Sequence, residues 1–503
     1  MSHIAFQSRD AGPVELEAEY VVVGSGAGGA AAAVTLARGG ASVIVVEAGA
    51  WRDPEDYPSS TYGALRDLFE DWSSNLARGR AMWPVVQART VGGTTVVNSA
   101  ICVRTPGDIF GEWSRDHGLD GDAMAQSVWS HQDRLEGELG VEVVPEGSLG
   151  RSNALALNVS RRMGFDSHLT RRFAPGCVGS GQCFQGCRAG AKASTNLNFV
   201  PEVLRRGGTV LSCAPVVKVR LDKRRAVGVQ GVFRHPVTRA RGASFVVRAS
   251  KAVVVAASAT HTPALLQRSR VRSRALGHYF RAHPGSAVFG LYDDVVDMNV
   301  GATQGWASTA FRSDRRMKLE VLSLPPGMAA SRMPGGGRRL MQRLRDYRQV
   351  ACWVHTIRAD AVGTVRNGFG NRPVVRYTTG RSDMERLRAA VHHIARMHVE
   401  AGARLVMPGV HGLPSELTPD QVDLIAEGPL DPRAYVAILS HLFGGAVMGA
   451  DPKRSVCDGY GRVHGHPGLV IADASALPTS LGVNPQHTIM AVACRNAEHL
   501  LAA

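Results

Sequence analysis

The sequence is poor in lysine, in aromatic side chains and in long apolar runs. Only six of its 58 basic residues are lysines, and aromatic residues make up 6% of the 503 positions. The other basic residues are arginines, which are scattered along the chain and give it a formal net charge of +15. A nucleic-acid-binding surface usually combines clustered basic residues with aromatic side chains on which bases stack. Because that combination is missing, we expect no nucleic-acid partner.

Long hydrophobic runs are missing as well. No stretch approaches the roughly 18 consecutive apolar residues of a membrane-spanning helix, and the first ten residues lack the apolar core of a secretion signal. We therefore expect a cytoplasmic protein without a membrane segment. The hydrophobic content of 44% and charged content of 20% are typical of a globular chain, and the length favours two associated domains. The oligomeric state is left open.

Cysteine is sparse, with eight residues in the chain. Five stand alone in apolar surroundings, as reduced core thiols do; they are Cys102, Cys213, Cys352, Cys457 and Cys494. The other three, Cys177, Cys183 and Cys187, lie within eleven residues. Three thiolates at such spacing can bind an iron–sulfur cluster, but they can also belong to a structural loop. From the spacing alone, both interpretations remain open.

An apolar run, a glycine-rich turn and an alanine-rich helix follow one another between residues 20 and 38. A turn of this kind holds a dinucleotide pyrophosphate against the helix N-terminus. Its glycines are Gly24, Gly26, Gly28 and Gly29. A second apolar run ends in Glu47 and Ala48, where an acidic side chain accepts hydrogen bonds from a ribose and disfavours a 2′-phosphate. The pattern predicts a Rossmann-like dinucleotide-binding unit and does not separate FAD from NAD.

A second glycine-containing segment lies at residues 88–98. Paired glycines let the backbone pass close to a planar ligand, and neighbouring hydroxyl and amide groups supply hydrogen bonds. The residues concerned are Gly92, Gly93, Thr94, Thr95 and Asn98. Further along, residues 216–249 alternate apolar and polar side chains in three runs, which predicts a small β-meander beside the nucleotide unit. An amphipathic helix is predicted near 384–401, with His392, His393 and His398 on its solvated face rather than as metal ligands.

Residues 91–98 resemble the first signature of the glucose–methanol–choline (GMC) flavin oxidoreductases. Residues 253–269 are similar to the second signature of that family, and residues 440–449 resemble its H-x-x-G-x-x-x-M-G segment. The resemblance covers nearly the whole chain. It implies an α/β fold with a Rossmann-like FAD-binding domain and a substrate domain built on an antiparallel sheet with helices. The expected bounds are 15–285 and 436–503 for the FAD-binding domain, with a cysteine-containing excursion at about 105–195, and 286–435 for the substrate domain.

The resemblance also implies the cofactor and its contacts. Some members of the family carry a histidine, covalently joined to FAD, at the position of Val97, so non-covalent FAD is expected. Besides the two glycine segments, matching positions place six further residues against FAD: Val216, Asp473, Ala474, Asn484, Pro485 and Gln486. The G-A-K-x-S-T sequence at residues 190–195 resembles bacterial relatives of long-chain alcohol oxidases. That likeness favours a structural role for the three clustered cysteines, although an iron–sulfur cluster stays an alternative.

The family places two polar residues above the flavin N5 atom, and on matching positions these are His441 and Asn484. In alcohol oxidation a neutral imidazole can take the hydroxyl proton while an amide holds the oxygen. The expected function is FAD-dependent oxidation of an alcohol to an aldehyde or ketone, with oxygen or another acceptor reoxidising FAD. The alternatives are a flavin subunit that passes electrons through a cysteine-bound cluster, and a redox-neutral flavin-dependent lyase. His487 falls three residues past the family position, so a base role is not expected of it.

Overall fold

The computed structural model describes residues 2–502. One of its two large sheets, the nucleotide sheet, has a parallel part and an antiparallel part that share one long strand. In spatial order its strands are Ser2–Ile4, Thr209–Leu211, Val43–Val46, Val14–Val23, Arg241–Val255, Arg225–Arg234 and Val216–Asp222, and Leu469–Ile471 pairs in parallel with the end of Arg241–Val255. The last three strands of the main order form the predicted meander. The last residues of Val14–Val23 are buried on both faces, as a central parallel strand requires.

The other large sheet, the substrate sheet, is antiparallel and has seven strands. They are His168–Leu169, Arg281–Leu291, Trp306–Ser308, Met317–Val321, Val350–Ile357, Leu405–Met407 and Ala437–Phe443. Two smaller sheets join Leu76–Arg78, Met82–Pro84, Thr364–Asn367 and Pro373–Arg376, and Glu142–Val143 with Arg171–Arg172. The α/β class and both sheet types therefore agree with the sequence prediction. The domain boundaries stay a prediction, since strands on both sides of them pair within the substrate sheet.

Eleven α-helices lie between residues 2 and 502. They are Ala27–Arg38, Thr61–Asp67, Gly107–His117, Gly121–Glu138, Arg151–Arg162, Phe199–Arg205, His261–Arg268, Pro326–Ala330, Gly337–Arg345, Arg381–Glu400 and Gln486–Ala502. None is long and apolar enough to cross a membrane. The helix Arg381–Glu400 buries Leu387, Val391 and Ile394, as its periodicity predicts. The prediction for His398 was wrong: this side chain is buried and stacked on Trp353, with ring centroids 4.0 Å apart.

Candidate active site

The predicted phosphate turn connects the strand Val14–Val23 to the helix Ala27–Arg38. Gly24 has a φ of +98°, which a residue with a side chain adopts only under strain. A Cβ on Gly29 would lie 2.0 Å from the carbonyl oxygen of Gly24, so helix and turn are in direct backbone contact. At Gly26 the nearest atom to a Cβ would be 3.9 Å away. The turn therefore leaves open space beside Gly26, next to the helix N-terminus, where a pyrophosphate fits.

Glu47 lies at the end of its strand as predicted, and it is buried. One carboxylate oxygen accepts hydrogen bonds from the backbone N–H of Ser25 (2.9 Å) and from its hydroxyl (2.7 Å), and the other accepts from the N–H of Gly49 (2.7 Å). The carboxylate thus braces the phosphate turn. Each of its oxygens has lone pairs to spare, so a ribose contact would add to these bonds rather than replace them.

The segment 88–98 packs directly on the phosphate turn. The N–H of Gly92 donates to the hydroxyl of Ser25 (2.9 Å), and a Cβ on Gly93 would lie 2.8 Å from the Cα of Gly26. The hydroxyl of Thr95 donates to the carbonyl of Gly92 at 2.6 Å. The two glycine segments, which are separated by more than 60 residues in sequence, form one continuous backbone surface.

The final helix contacts the end of this segment. The amide of Asn98 donates to Oε1 of Gln486 (2.5 Å), the first residue of the helix Gln486–Ala502, and Pro485 immediately precedes it. The hydroxyl oxygen of Thr94 accepts a hydrogen bond from the N–H of Ala88 (3.4 Å). Helix N-termini stabilise negative charge, so this junction suits an electron-rich ring.

Asp473 follows the strand Leu469–Ile471 and is buried. Its carboxylate accepts hydrogen bonds from Ser258 and Thr262 on one oxygen and from the N–H and hydroxyl of Ser475 on the other. Burial raises the pKa of Asp473 despite these bonds. The carbonyl of Ala474 accepts from the N–H of Gly444 (3.0 Å), which ties the segment to residues 440–449.

Two of the expected cofactor residues, Ala48 and Val216, offer main-chain groups rather than polar side chains. Ala48 directly follows Glu47, and its carbonyl oxygen is 3.4 Å from Nε of Arg89. Val216 begins the outermost strand of the nucleotide sheet, where it is buried and its carbonyl accepts from Arg268 at 2.9 Å. Both residues present backbone rather than side-chain groups, so any contact with a cofactor would be through their main chain.

His441 and Asn484 come together as the sequence predicts. Nδ2 of Asn484 lies 3.4 Å from Nε2 of His441. On the other side of the ring, Nδ1 of His441 is 3.2 Å from Nδ1 of His283, whose Nε2 accepts a hydrogen bond from the N–H of Gly482 (2.9 Å). Burial lowers the pKa of His441 to about 4 and that of His283 well below its usual value. Both rings are therefore neutral near pH 7.

A buried ion pair completes the cluster, and sequence reasoning missed it. Nζ of Lys318 donates to Oε1 of Glu320 at 2.7 Å and also to Oδ1 of Asn484. Nδ2 of Asn484 in turn donates to Oε1 of Glu320 at 3.3 Å. Burial alone would raise the pKa of Glu320, but the charge and hydrogen bond of Lys318 hold it below its usual value. The available signal was the opposite charges two residues apart in the apolar run 317–321, which places them on one face of a strand.

His487 does not belong to this cluster. It is fully buried, with Nδ1 3.4 Å from Sγ of Cys102 and Nε2 3.2 Å from the carbonyl of Gln132. Both ring nitrogens are therefore engaged by the protein interior. His487 lies in the helix Gln486–Ala502 as expected, and its exclusion as a base stays a prediction.

The three clustered cysteines surround two buried cations. Arg172 donates to Sγ of Cys177 (3.3 Å) and Sγ of Cys183 (3.2 Å), while Nζ of Lys192 donates to three backbone carbonyls, those of Val96, Asn98 and Cys183. Within residues 2–502 neither cation pairs with a carboxylate. Despite burial, the charges of Arg172 and Lys192 lower the pKa of Cys183 to about 7. The cysteine loop thus places a thiol of lowered pKa beside two buried cations, and Lys192 connects it to the segment 88–98.

The two glycine segments, the buried acid after a parallel strand and the histidine–amide pair beside them define a flavin-dependent oxidoreductase. The GMC oxidoreductase family models match residues 18–285 and 362–493. The chain belongs to the GMC oxidoreductase family, whose members are FAD-binding flavoproteins.

Several relatives are similar along most of their length. An uncharacterized GMC-type oxidoreductase of Mycobacterium tuberculosis is 36% identical over 493 residues, covering 97% of this chain and 77% of the relative. Long-chain-alcohol oxidase FAO1 of Arabidopsis thaliana is 25% identical over 532 residues, covering 97% and 67%.

Among solved structures, pyridoxine 4-oxidase from Mesorbium loti has a TM-score of 0.71 and 17% identity, and covers 96% of this chain and 98% of its own. Formate oxidase of Aspergillus oryzae, whose FAD modification has been studied, has a TM-score of 0.70 and 16% identity, with coverage of 97% and 98%. At these identities the likeness shows a common fold.

Proposed function

We propose that the protein oxidises the CH–OH group of an alcohol to an aldehyde or ketone with FAD as cofactor. The observation that carries this proposal is the partly buried contact between His441 and Asn484, which brings an imidazole and an amide together beside the predicted cofactor surface. Bound FAD would supply the hydride acceptor, its N5 atom. The protein must then orient the hydroxyl group and receive its proton.

His441 is proposed as the general base and Asn484 as the residue that orients the hydroxyl oxygen. Because its pKa is lowered to about 4, His441 is unprotonated at neutral pH and has a lone pair to offer. The amide N–H of Asn484 faces Nε2, so an oxygen bound between the two groups would meet a donor on one side and an acceptor on the other. The contact supports this division of roles because the neutral imidazole offers a lone pair and the amide offers an N–H donor.

FAD is proposed to bind non-covalently. The residues that would hold it are the two glycine segments, the turn at Asp473 and the start of the final helix, and Val97 offers no nucleophilic atom for a covalent bond. Acid precipitation of the purified protein should release all of the yellow colour into the supernatant. Flavin retained in the pellet would contradict a non-covalent cofactor.

The substrate is proposed to be an apolar alcohol, and the reoxidant oxygen or another acceptor. This rests on similarity to the long-chain-alcohol oxidases of Arabidopsis thaliana, at 24–26% identity. The test is an anaerobic screen of primary, secondary, aliphatic and aromatic alcohols that monitors bleaching of the flavin absorbance, followed by readmission of oxygen. Rapid recovery of colour with peroxide formation would indicate an oxidase, and slow recovery a dehydrogenase. A flavin that no alcohol bleaches would favour the redox-neutral lyase instead.

A second candidate function, the electron-transfer subunit, would need the three clustered cysteines to bind an iron–sulfur cluster. Buried cations require compensating charge, and three thiolates with Arg172 and Lys192 would provide it with or without a bound cluster. We propose that no cluster binds and that Cys183, whose pKa is lowered to about 7, helps to balance the two cations as a thiolate. Iron and acid-labile sulfide analysis after anaerobic purification separates the two, since about three irons per chain would establish the electron-transfer subunit.

A further inference from the structure

His441 has a hydrogen-bond donor on each side but only one lone pair to receive them. The N–H of Gly482 occupies Nε2 of His283, so neutral His283 carries its hydrogen on Nδ1, where it faces Nδ1 of His441. On the opposite side, Nδ2 of Asn484 faces Nε2 of His441. A neutral imidazole has one N–H and one lone pair. The more firmly held donor therefore decides which nitrogen of His441 can act as a base.

The buried pair Lys318–Glu320 holds the donor on the Asn484 side. An ammonium group can only donate and a carboxylate can only accept, so an amide between them has a single orientation. Oδ1 of Asn484 must face Lys318 and its Nδ2 must face Glu320, which is the arrangement observed. With neutral neighbours, the oxygen and nitrogen of the amide could exchange places. The ion pair therefore keeps an N–H directed at Nε2 of His441.

The position of the pair supports this role. Lys318 and Glu320 are 1% and 2% exposed, on a central strand of the substrate sheet, and the single contact of 2.7 Å between them is made without any other charged partner in residues 2–502. Burying two charges is costly unless both are well paired, and a neutral pair would fill the same volume at lower cost. Here the charges do what neutral groups cannot, because they fix the direction of an amide.

We propose that Lys318 is a positioning residue which, through Asn484, keeps the lone pair of His441 on Nε2 and so makes that nitrogen the base. This inference rests on the proposed function for its catalytic meaning, but the tautomer itself is a property of the protein. Loss of the ammonium group would free Asn484 to rotate. His441 would then move its hydrogen to Nε2 under the influence of His283.

The test compares three holoproteins with wild type. Lys318→Met removes the charge in a side chain of similar length, and Lys318→Met/Glu320→Gln leaves no unpaired buried charge, so that it folds even if the single variant does not. Lys453→Met is the matched control at an exposed lysine. Histidine selectively labelled with ¹⁵N reports the tautomer, since protonated and unprotonated ring nitrogens have well-separated shifts. The His441 signals are those missing from His441→Ala protein.

In wild type and in Lys453→Met, Nε2 of His441 should give the shift of an unprotonated nitrogen, and in both Lys318 variants that of a protonated one. The limiting rate of flavin reduction by alcohol should fall roughly tenfold or more in the Lys318 variants, with little change in alcohol affinity. The losses from Lys318→Met and Asn484→Ala should not add, because both act through the same amide.

Other results overturn the inference. Wild-type protein with a protonated Nε2, or a double variant with the wild-type tautomer and rate, would show that Lys318 only neutralises Glu320. The proposed function fails separately: if no alcohol bleaches the wild-type flavin but the tautomer changes as expected, the positioning role stands and the reaction is a different one.

Discussion

Replacing His441 by alanine is expected to slow flavin reduction by alcohol by about 10²–10⁴-fold, the usual contribution of a general base. That range corresponds to roughly 3–5 kcal/mol of barrier. The structure gives a second cost, because Nδ2 of the buried Asn484 would lose the acceptor that it faces on the ring. An unsatisfied buried donor costs about 1–3 kcal/mol of stability, so a modest fall in Tm should accompany the loss of rate.

Stopped-flow absorbance under anaerobic conditions measures the reduction rate directly. Total FAD per chain should equal that of wild type, which separates a chemical defect from a folding defect. His411→Ala, at an exposed histidine outside the cluster, is the matched control and should reduce at the wild-type rate. Raising the pH should recover part of the rate of His441→Ala, because the alcohol then loses its proton to solvent base without help from the protein.

The contact with His283 defines the result that would refute this reasoning. If His441 keeps its hydrogen on Nε2, it donates to the alcohol oxygen, and Glu320 becomes the nearest group able to accept a proton. His441→Ala would then gain nothing from a rise in pH, while Glu320→Gln would lose most of the activity. That pair of results would assign the base role to Glu320.

Three further outcomes are expected. Asn484→Ala should slow reduction by about 10–10²-fold, which is less than the loss in His441→Ala, because an amide stabilises charge on oxygen without removing a proton; rapid-kinetic traces at saturating alcohol measure both rates. Gly26→Ala should weaken FAD retention at an almost unchanged Tm, since the nearest protein atom to its Cβ is 3.9 Å away, whereas Gly29→Ala should lower the Tm because its Cβ would lie 2.0 Å from a carbonyl oxygen; equal effects of the two changes would contradict a pyrophosphate site beside Gly26. The wild-type reduction rate should be flat from pH 6 to 8 and fall only as the pH approaches 4, because the pKa of His441 is lowered to about 4 and protonation removes its lone pair; a midpoint near 6.5 would contradict this lowered pKa.

The nucleotide unit was predictable because its signals are local. The glycine turn, the apolar strand and Glu47 follow one another within 30 residues, and each needs only its neighbours to be interpreted. The approach of His441 to Asn484 was predictable only through family resemblance, since 43 residues and the strand Leu469–Ile471 separate them. Hydrophobic periodicity predicted the helix Arg381–Glu400 but assigned His398 to the wrong face. The same periodicity does not distinguish a solvated histidine from one stacked on a buried tryptophan.

The buried cations were missed for a different reason. Lysine and arginine are nearly always exposed, so a single basic residue in an apolar run carries little weight without knowledge of its partner. For Lys318 the partner is Glu320 and an amide from a distant segment, and for Lys192 it is a set of backbone carbonyls. The spacing of two residues places Lys318 and Glu320 on one face of a strand, but no spacing rule reveals the distant amide or the backbone carbonyls.

Two of the few lysines in the chain occupy these buried positions. Of the six lysines in an arginine-rich chain, Lys192 and Lys318 are almost completely buried; the ammonium group of Lys192 binds three carbonyl oxygens, and that of Lys318 binds one carboxylate and one amide oxygen. A guanidinium is a planar fork suited to two parallel contacts, whereas an ammonium is a compact charge with three donors that rotate freely. Arg172, the buried arginine of the cysteine loop, accordingly spans two sulfur atoms. At Lys318 a compact ammonium contacts a carboxylate and an amide oxygen that belong to different segments, and a planar fork would not reach both in the same way, so Lys318→Arg would not preserve the orientation of Asn484.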